Sequence, residues 1–359
     1  MGTSSRNRLL LDIASAGDPE SLRVARERVM KALEPELYSL PAVTEIVTLN
    51  ELHDALIARA LVLAEKEVAR LGYGAPPVPY AYMLYGSGGR YEQTMHSDQD
   101  SGLVYGDTAS EDDGEKNRRY FLLLADKVVQ YLILLGYPPC DGNVITSNPE
   151  WCLSLAGWIR KIDHWIDDPD WENVRYLLIA ADGRAVYGDK ELADRLRDRF
   201  YHDMLDHPSI AQRMLDNTLR HKILVGVFGQ LLTERYGEDT GSLDIKYGAY
   251  IPMVNAIRLL ALQAGVRETS TLRRIEALRM AHLLSEEEAE EAEEAFVLFM
   301  RLRMLASVSE ANGQWSGSGK VPAARLTKEM IAPLKKALRV GVKLQKKVQK
   351  ELQRGFGGR

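Results

Sequence analysis

The chain has few cysteines and no long apolar run. Its 359 residues include two cysteines, Cys140 and Cys152, and their spacing matches none of the ligand patterns of structural zinc sites. No stretch approaches the roughly 18 uninterrupted apolar residues of a membrane span, and the opening Met-Gly-Thr-Ser-Ser-Arg lacks the apolar centre of a secretory signal. These absences predict a cytoplasmic protein with two reduced thiols and no membrane partner.

A strong excess of charge of either sign is also lacking. The chain has 46 lysines and arginines against 51 aspartates and glutamates, which gives a formal net charge of -5. The last helical pattern, over residues 334–352, surrounds an apolar stripe with lysines, which is typical of a solvated helix in a bundle. Such a helix also suits nucleic acid or an acidic partner, but the chain as a whole is acidic. Nucleic acid is therefore not expected as a partner.

A glycine-rich turn follows a predicted buried strand. Residues 79–85 form a short aromatic and apolar run bounded by prolines and a glycine, which is typical of such a strand. In the segment 86–89, Gly-Ser-Gly-Gly, backbone N–H groups can approach an anion without interference from Cβ atoms. Ser87 and Arg90 add a hydroxyl and a forked cation that suit phosphate oxygens. The turn lacks the Gly-Lys-Ser/Thr of a P-loop and the Gly-x-Gly-x-x-Gly of a dinucleotide-binding turn.

Two carboxylates follow the glycine turn. Asp98 and Asp100 lead into the apolar residues 103–105, and in an extended segment their side chains point to the same face. Two adjacent carboxylates repel each other unless a cation joins them, and Mg²⁺ commonly bridges one or two carboxylates to substrate phosphates. Either motif alone is common in loops, where it carries no chemistry. In this order they predict a site for a metal ion and a nucleoside triphosphate.

The full pattern resembles the polymerase-β-like nucleotidyltransferases, and within them the bacterial proteins related to PII-protein uridylyltransferase. No sensor domain such as a CBS pair, which these relatives often carry, is expected in this chain. The matching segments lie between about residues 45 and 355 and are 86–93, 97–100, 136–140, 147–151, 243–246, 257–262 and 270–275.

The resemblance implies a third carboxylate, for which Asp182 is the candidate. Residues 175–182 are apolar and strand-like, and they end where the family has an aspartate followed shortly by an arginine. Turn chemistry alone would make Asp182 a turn-initiating residue before a glycine. The resemblance implies instead that Asp182 joins Asp98 and Asp100 in holding one or two Mg²⁺ or Mn²⁺ ions and orients or deprotonates the attacking hydroxyl.

The reaction that the resemblance implies is attack by a hydroxyl acceptor on the α-phosphate of a nucleoside triphosphate, ATP or UTP, with release of pyrophosphate. The acceptor is expected to be a regulatory protein or else a small molecule. Gly86, Ser87 and Arg90 would hold the triphosphate, and Lys246 would reach the phosphates from the helical region, although a local salt bridge or cap is an equal alternative for Lys246. The alternative function is a nucleotide-sensing or interaction module with little turnover.

The predicted fold class is α+β. We expect an N-terminal helical segment over 1–75, a small polymerase-β-like core over 76–190 and a C-terminal helical bundle over 191–359. The N-terminal helices are candidates for a dimer element, so a homo-oligomer is one expectation. Within the core, strands are predicted near 80–86, 101–106 and 174–181, and helices near 114–135 and 150–167.

Overall fold

The chain divides into two compact units. The computed structural model describes residues 2–37, 43–218, 224, 231–234, 239–306, 308–309 and 315–357. The first unit comprises residues 1–164, 182–200 and 309–315, and the second comprises residues 165–181, 201–308 and 316–359. The N-terminal helices therefore belong to the same unit as residues 76–164 and 182–190 of the predicted core, whereas residues 165–181 belong to the second unit.

The described helices and strands are numbered in chain order. The helices are α1 (Thr3–Ser15), α2 (Pro19–Leu37), α3 (Val43–Val68), α4 (Gly86–Gly89), α5 (Glu111–Leu134), α6 (Leu155–Asp167), α7 (Trp171–Ala180), α8 (Lys190–Asp206), α9 (Pro208–Thr218), α10 (Ile251–Gln263), α11 (Thr271–Met280), α12 (Glu286–Leu305) and α13 (Lys328–Gly357). The strands are β1 (Tyr80–Leu84), β2 (Ser101–Tyr105), β3 (Cys152–Ser154), β4 (Arg184–Gly188), β5 (Ser242–Asp244), β6 (Val308–Ser309), β7 (Trp315–Ser316) and β8 (Lys320–Pro322).

A four-stranded sheet lies at the centre of the first unit, in the order β3-β2-β1-β4. Strand β1 is antiparallel to β2 and β4, whereas β2 and β3 are parallel. Every residue of β1 and β2 is buried, as expected for short aromatic and apolar runs in central strands. The pairing Leu84↔Ser101 places the chain that leaves β1 beside the chain that enters β2. The two strands predicted near 80–86 and 101–106 are confirmed.

Helix α3 packs against α5 and β4 through an apolar stripe. Leu49, Leu52, Leu56, Ala60 and Leu63 recur at helical spacing and are almost fully buried. The apolar stripe packs this N-terminal helix against the sheet, so α3 contributes to the hydrophobic core of the first unit.

The strand predicted near 174–181 is wrong, because residues 174–180 belong to helix α7 and Ala181 caps its C-terminus. Asp170 caps the helix, and its side chain accepts a hydrogen bond from the backbone N–H of Asn173 at 2.7 Å. Val174, Leu177 and Leu178 are buried at the spacing of a helix face. The apolar residues of this run therefore suit a helix as well as a strand, and the Asp170 N-cap favours the helix.

The helix predicted over 150–167 begins later than expected. Residues 149–151 form one 3₁₀ turn, and 152–154 form strand β3, which pairs in parallel with β2. Helix α6 follows directly at Leu155. Cys152, expected in a helix, therefore lies in the sheet and is buried.

The second unit is mainly a helical bundle in which α10 packs against α9, α11 and α13, and α12 packs against α11 and α13. Three lysines of α13 pair with glutamates of α12, at N···O distances of 3.2 Å for Lys336, 3.0 Å for Lys343 and 2.7 Å for Lys347. These pairs favour a bundle role for the lysine-rich helix.

The α+β prediction is confirmed, with helices around a small mixed sheet. Within the described ranges, no helix is both long and apolar enough to cross a membrane.

Candidate active site

Asp98 and Asp100 lie on either side of the buried residue Gln99, just before β2 begins. The backbone N–H of Gln99 donates to the carbonyl of Pro138 at 2.9 Å, and its side-chain amide donates to the carbonyl of Tyr137 at 2.7 Å. The side chain of Asp98 is 39% exposed, and Asp100 is half-buried. Both aspartates line one small cavity of about 10 Å³, which is room for about one water molecule. The structure thus brings the two predicted carboxylates together.

The glycine turn, helix α4, packs directly against Asp100. The backbone N–H of Tyr85 donates to the carbonyl of Asp100 at 2.9 Å, which extends the pairing of β1 and β2 by one residue. Gly86 has φ +53°, and a Cβ atom there would lie 2.1 Å from Oδ2 of Asp100. Only a residue without a side chain lets the carboxylate approach this closely. Ser87 is half-buried beside Gly86.

Replacing Gly86 with alanine is expected to displace the Asp100 carboxylate. The left-handed backbone adds a cost of roughly 1–2 kcal/mol to the free energy of folding. Because Asp100 is a predicted metal ligand, its displacement is expected to weaken binding of Mg²⁺-nucleotide by about 10–100-fold. Binding can be followed by calorimetry. Gly72→Ala is the matched control, because Gly72 has φ +93° and open space around its Cβ position. Equal nucleotide affinity in the two variants would show that Gly86 does not position Asp100.

Arg90, predicted to bind phosphate, is 4% exposed and has two carboxylate partners within the protein. Its Nε donates to Glu92 at 2.7 Å, and its Nη1 donates to Asp182 at 2.5 Å. These charge-assisted bonds fix the chain that follows the glycine turn. The predicted contact of Arg90 with a phosphate stays a prediction.

Asp182 lies in the turn between α7 and β4 and is 1% exposed. Its carboxylate pairs with Arg90, and its backbone carbonyl packs so closely on Gly89 that a Cβ there would lie 2.1 Å away. Among the described residues, no group of three or more His, Cys, Asp or Glu side chains is placed to hold a metal ion. The structure therefore brings Asp98 and Asp100 together but does not add Asp182 to them, and the catalytic role of Asp182 stays a prediction.

Arg184 holds the other side of the glycine turn. Its Nε donates to the carbonyl of Gly88 at 2.9 Å, and its two Nη atoms bind the carboxylate of Asp54 at 2.9 and 2.7 Å. Burial raises the pKa of Asp54, while the hydrogen bonds and charge of Arg184 oppose this rise. The bidentate pair fixes the guanidinium in one orientation. The arginine at the start of β4 thus connects the turn to helix α3.

Helix α3 also fixes the loop between the turn and the carboxylates. The side chain of Asn50 accepts from the backbone N–H of Gln93 at 2.8 Å and donates to its carbonyl at 3.3 Å. His53 lies 3.1 Å from the carbonyl of Thr94 and 2.6 Å from the hydroxyl of Tyr137. Asn50, His53 and Asp54 were not predicted as site residues from the sequence. The sequence pattern that could have indicated them is three polar residues at helical spacing, on one face of α3 beside its apolar stripe.

His53 is neutral in the folded protein. Burial, followed by the nearby positive charge of Arg26, lowers its pKa to about 3. Because the carbonyl of Thr94 can only accept, Nε2 carries the proton and donates to it, and Nδ1 accepts from the hydroxyl of Tyr137. The neutral ring therefore links α3, the 91–99 loop and the chain after α5.

This histidine is expected to make the protein sensitive to acid. Below pH 6.5 the unfolded chain binds a proton that the folded chain excludes down to about pH 3, so stability falls as the pH is lowered. The His53 contribution amounts to about 1.4 kcal/mol per pH unit in this window. The free energy of unfolding would be measured by urea denaturation at several pH values between 7.5 and 5. It should fall less steeply with decreasing pH in His53→Gln than in wild type. Exposed His164→Gln is the control, and a slope unchanged by His53→Gln would contradict the assignment.

Cys140, expected to be an ordinary thiol, lies beside the carboxylate pair. Burial and the negative charge of Asp100 raise the pKa of this thiol to about 12. The group therefore stays protonated and is a hydrogen-bond donor toward Asp100. Nε2 of His96 lies 3.8 Å from Oδ1 of Asp98.

Lys246 belongs to the second unit. It begins a π-helical turn, residues 246–250, which is separated from β5 by Ile245. Its backbone N–H donates to the carbonyl of Gly319 at 3.1 Å. Its Nζ lies 5.2 Å from the centre of the Tyr247 ring. Asp244 caps the same turn by accepting from the N–H of Tyr247 at 2.9 Å. The contact of Lys246 with a nucleotide stays a prediction.

A mixed sheet that sets a glycine turn against two half-exposed carboxylates is the arrangement expected of a nucleotidyltransferase. Two family models match the chain: "Putative nucleotidyltransferase DUF294" over residues 25–172 and "Putative nucleotidyltransferase substrate binding domain" over residues 208–352. The chain belongs to the nucleotidyltransferase family that these two domains describe. The first match contains the turn and both carboxylates, and the second contains Lys246. A search of the curated proteins finds no match.

Proposed function

We propose that the protein is a metal-dependent nucleotidyltransferase that moves a nucleoside monophosphate from ATP or UTP to a hydroxyl acceptor. The observation that carries the proposal is the contact between Gly86 and Asp100, where the absence of a Cβ lets a carboxylate lie against a turn suited to phosphate. A triphosphate bound at Gly86 and Ser87 would then meet Asp98 and Asp100 directly. The two family matches support the same class of reaction.

The donor set at the site fits Mg²⁺ or Mn²⁺. Asp98 and Asp100 offer hard carboxylate oxygens, and the 39% exposure of the Asp98 side chain leaves it accessible to an ion. Mg²⁺ usually takes one or two carboxylates and completes its coordination with water and substrate phosphates, so two aspartates suffice. When bound, such an ion neutralises charge on the phosphates.

In the proposed reaction, the acceptor oxygen forms a bond to the α-phosphorus, and the bond from this phosphorus to the bridging oxygen breaks. Pyrophosphate leaves with the electron pair, and the acceptor hydroxyl loses its proton. The residues of the chain position the reactants: the turn at Gly86 and Ser87 holds phosphate oxygens, and Arg90 and Arg184 hold the turn. Deprotonation by Asp182 is part of the proposal, and in this structure its carboxylate pairs with Arg90.

We assign substrate recognition to the second unit, which contains the family match described as a substrate binding domain. Lys246 is its proposed phosphate contact. By analogy with PII-protein uridylyltransferase, the acceptor is proposed to be a regulatory protein in the cytoplasm, and a small-molecule acceptor is the alternative. This assignment rests on resemblance.

A nucleotide-sensing module with little turnover is the second candidate function. One observation favours it: Asp182, the expected third carboxylate, forms an ion pair with Arg90. A carboxylate held in this way is a poor base for an acceptor hydroxyl. A sensor needs the glycine turn and the Asp98/Asp100 pair for binding but no residue that activates an acceptor. The two candidates therefore differ in turnover and agree on binding.

Transfer of label from each α-labelled nucleoside triphosphate tests the proposal. Wild type and Asp98→Ala/Asp100→Ala would be incubated with Mg²⁺ or Mn²⁺ and a cytosolic extract. The control Asp112→Ala/Asp113→Ala removes two exposed aspartates from the first turn of α5, with the same change in charge. Label moved by wild type and the control, but not by the site variant, supports the enzyme. Metal-dependent nucleotide binding without any transfer would favour the sensor.

A further inference from the structure

Helix α3 is connected to the glycine turn through one arginine. The carboxylate of Asp54, on α3, accepts from both Nη atoms of Arg184 at 2.9 and 2.7 Å. Nε of the same guanidinium donates to the carbonyl of Gly88 at 2.9 Å. Because Arg184 is only 6% exposed, this carbonyl points into the protein. The three nitrogen atoms of a single side chain therefore connect α3 to the turn.

The two ends of the turn differ in what they offer an anion. In a single helical turn the carbonyls point one way and the N–H groups the other, and only the N–H groups attract phosphate. The N–H end is at Gly86, which lies against the carboxylate of Asp100. The carbonyl of Gly88, at the other end, is bonded to Arg184. This bond fixes the turn with its carbonyl end toward the protein and its N–H end toward the predicted metal ligands.

Arg184 contributes direction to the turn rather than charge. Its charge is compensated by the two bonds to Asp54, and its guanidinium carbon lies 3.6 Å from the centre of the Tyr91 ring. A bidentate pair holds a guanidinium in one plane, and the cation–π contact restricts it further. A guanidinium that is buried and paired in this way is a rigid support for the Gly88 carbonyl.

We propose that Asp54 is a positioning residue for nucleotide binding, which acts on the glycine turn through Arg184. The proposal rests on the function proposed above and adds that helix α3 helps to determine the affinity for a nucleoside triphosphate. Without Asp54 the guanidinium is free to turn, the Gly88 carbonyl loses its fixed donor, and the N–H groups lose their fixed position beside Asp100. The expected loss is in nucleotide affinity, because the predicted metal ligands themselves are unchanged.

Two substitutions test this inference by calorimetry with Mg²⁺-ATP and Mg²⁺-UTP. Asp54→Asn and Arg184→Lys are each expected to weaken binding about tenfold, the lower end of the loss that follows when a partner that orients a binding group is removed. Arg184→Lys keeps the positive charge, but a lysine cannot form the forked pair and the bond to Gly88 together.

Initial rates of α-label transfer give a second readout. The KM for nucleotide should rise by a similar factor in both variants, whereas kcat should change less, because the predicted metal ligands and the acceptor are the same. The double variant should bind no more weakly than the weaker single variant, since both residues act through one bond to Gly88. A purely structural defect would instead lower the folded fraction and leave the KM of the folded protein unaltered.

The matched control lies on the same helix. Glu65, eleven residues after Asp54 and therefore about 16 Å further along α3, accepts from the hydroxyls of Tyr80 at 2.5 Å and Tyr187 at 3.1 Å. Tyr80 is the first residue of β1, whereas the glycine turn follows the last. Glu65→Gln removes a half-buried carboxylate from α3, as Asp54→Asn does, and its nucleotide affinity is expected to equal that of wild type. Urea denaturation of both variants compares their stabilities.

The sign of the Asp54→Asn effect separates two roles of Arg184. If Arg184 acted as a cation for the phosphates, the loss of its carboxylate partner would strengthen nucleotide binding, and Arg184→Lys would bind as wild type does. Either result would overturn the inference, as would unchanged affinity in Asp54→Asn or equal weakening in Asp54→Asn and Glu65→Gln. If wild type and Asp98→Ala/Asp100→Ala bind nucleotide equally, the proposed function itself fails and the inference fails with it.

Discussion

Asparagine at Asp98 or Asp100 is expected to lower the rate of nucleotidyl transfer at least about 1,000-fold. Each substitution keeps the shape of the side chain and removes the negative charge that, in the proposed function, holds a divalent ion. The ion contributes several kcal/mol of transition-state stabilisation, and about 4 kcal/mol corresponds to a factor of 1,000 in rate. The measurement is the initial rate of α-label transfer at a series of Mg²⁺ concentrations.

The control for this experiment is Asp112→Asn/Asp113→Asn, at exposed positions of α5. Asp100→Asn is expected to have the larger effect, because Asp100 contacts the glycine turn directly whereas Asp98 is more open. Either variant retaining more than a tenth of the wild-type rate at saturating Mg²⁺ would contradict the role of the pair as metal ligands.

Methionine at Arg90 is expected to reduce the free energy of unfolding by about 3–5 kcal/mol. The substitution leaves the carboxylates of Asp182 and Glu92, which are 1% and 2% exposed, without their shared cation. Breaking a buried ion pair by removing one partner is costly because the remaining charge is uncompensated. Urea denaturation at pH 7 measures the change.

The companion variant Arg90→Met/Asp182→Asn should recover part of this loss, since it removes one of the two buried negative charges that Arg90 shares. Asp182→Asn alone then separates two roles for this residue. A purely structural Asp182 predicts lower stability with a near-normal rate of transfer in the folded fraction, whereas a general base predicts a large loss of kcat. A stability loss below about 1 kcal/mol in Arg90→Met would contradict the buried network.

The glycine turn and the carboxylate pair were predictable from the sequence because their geometry is local. Residues 86–100 lie between two adjacent antiparallel strands, so a short stretch of chain brings Gly86 and Asp100 together. The strands themselves follow from short apolar runs bounded by turn residues. To predict the α+β class, it was enough to recognise these strands and the helical periodicity of the segments around them.

The supports of the turn were not predictable in the same way. Arg90 and Asp182 are 92 residues apart, and Arg184 and Asp54 are 130 residues apart, so neither pairing has a local signal. Residues 174–180 formed a helix because the Asp170 cap and the buried spacing of Val174 and Leu177 outweighed a short apolar run that also suits a strand. Long-range pairing and capping, rather than composition, determined the surroundings of Asp182.

The most direct test of nucleotidyl transfer compares label at the two ends of the nucleotide. ATP and UTP, each labelled at either the α- or the γ-phosphorus, would be supplied with Mg²⁺ and cytosolic extract to wild type and Asp100→Asn. We expect α-label to move to an acceptor and γ-label to appear as pyrophosphate, and we expect Asp100→Asn to abolish both. A γ-label that moves to the acceptor, or is released as single phosphate without a matching transfer of α-label, in wild type but not in Asp100→Asn would contradict nucleotidyl transfer.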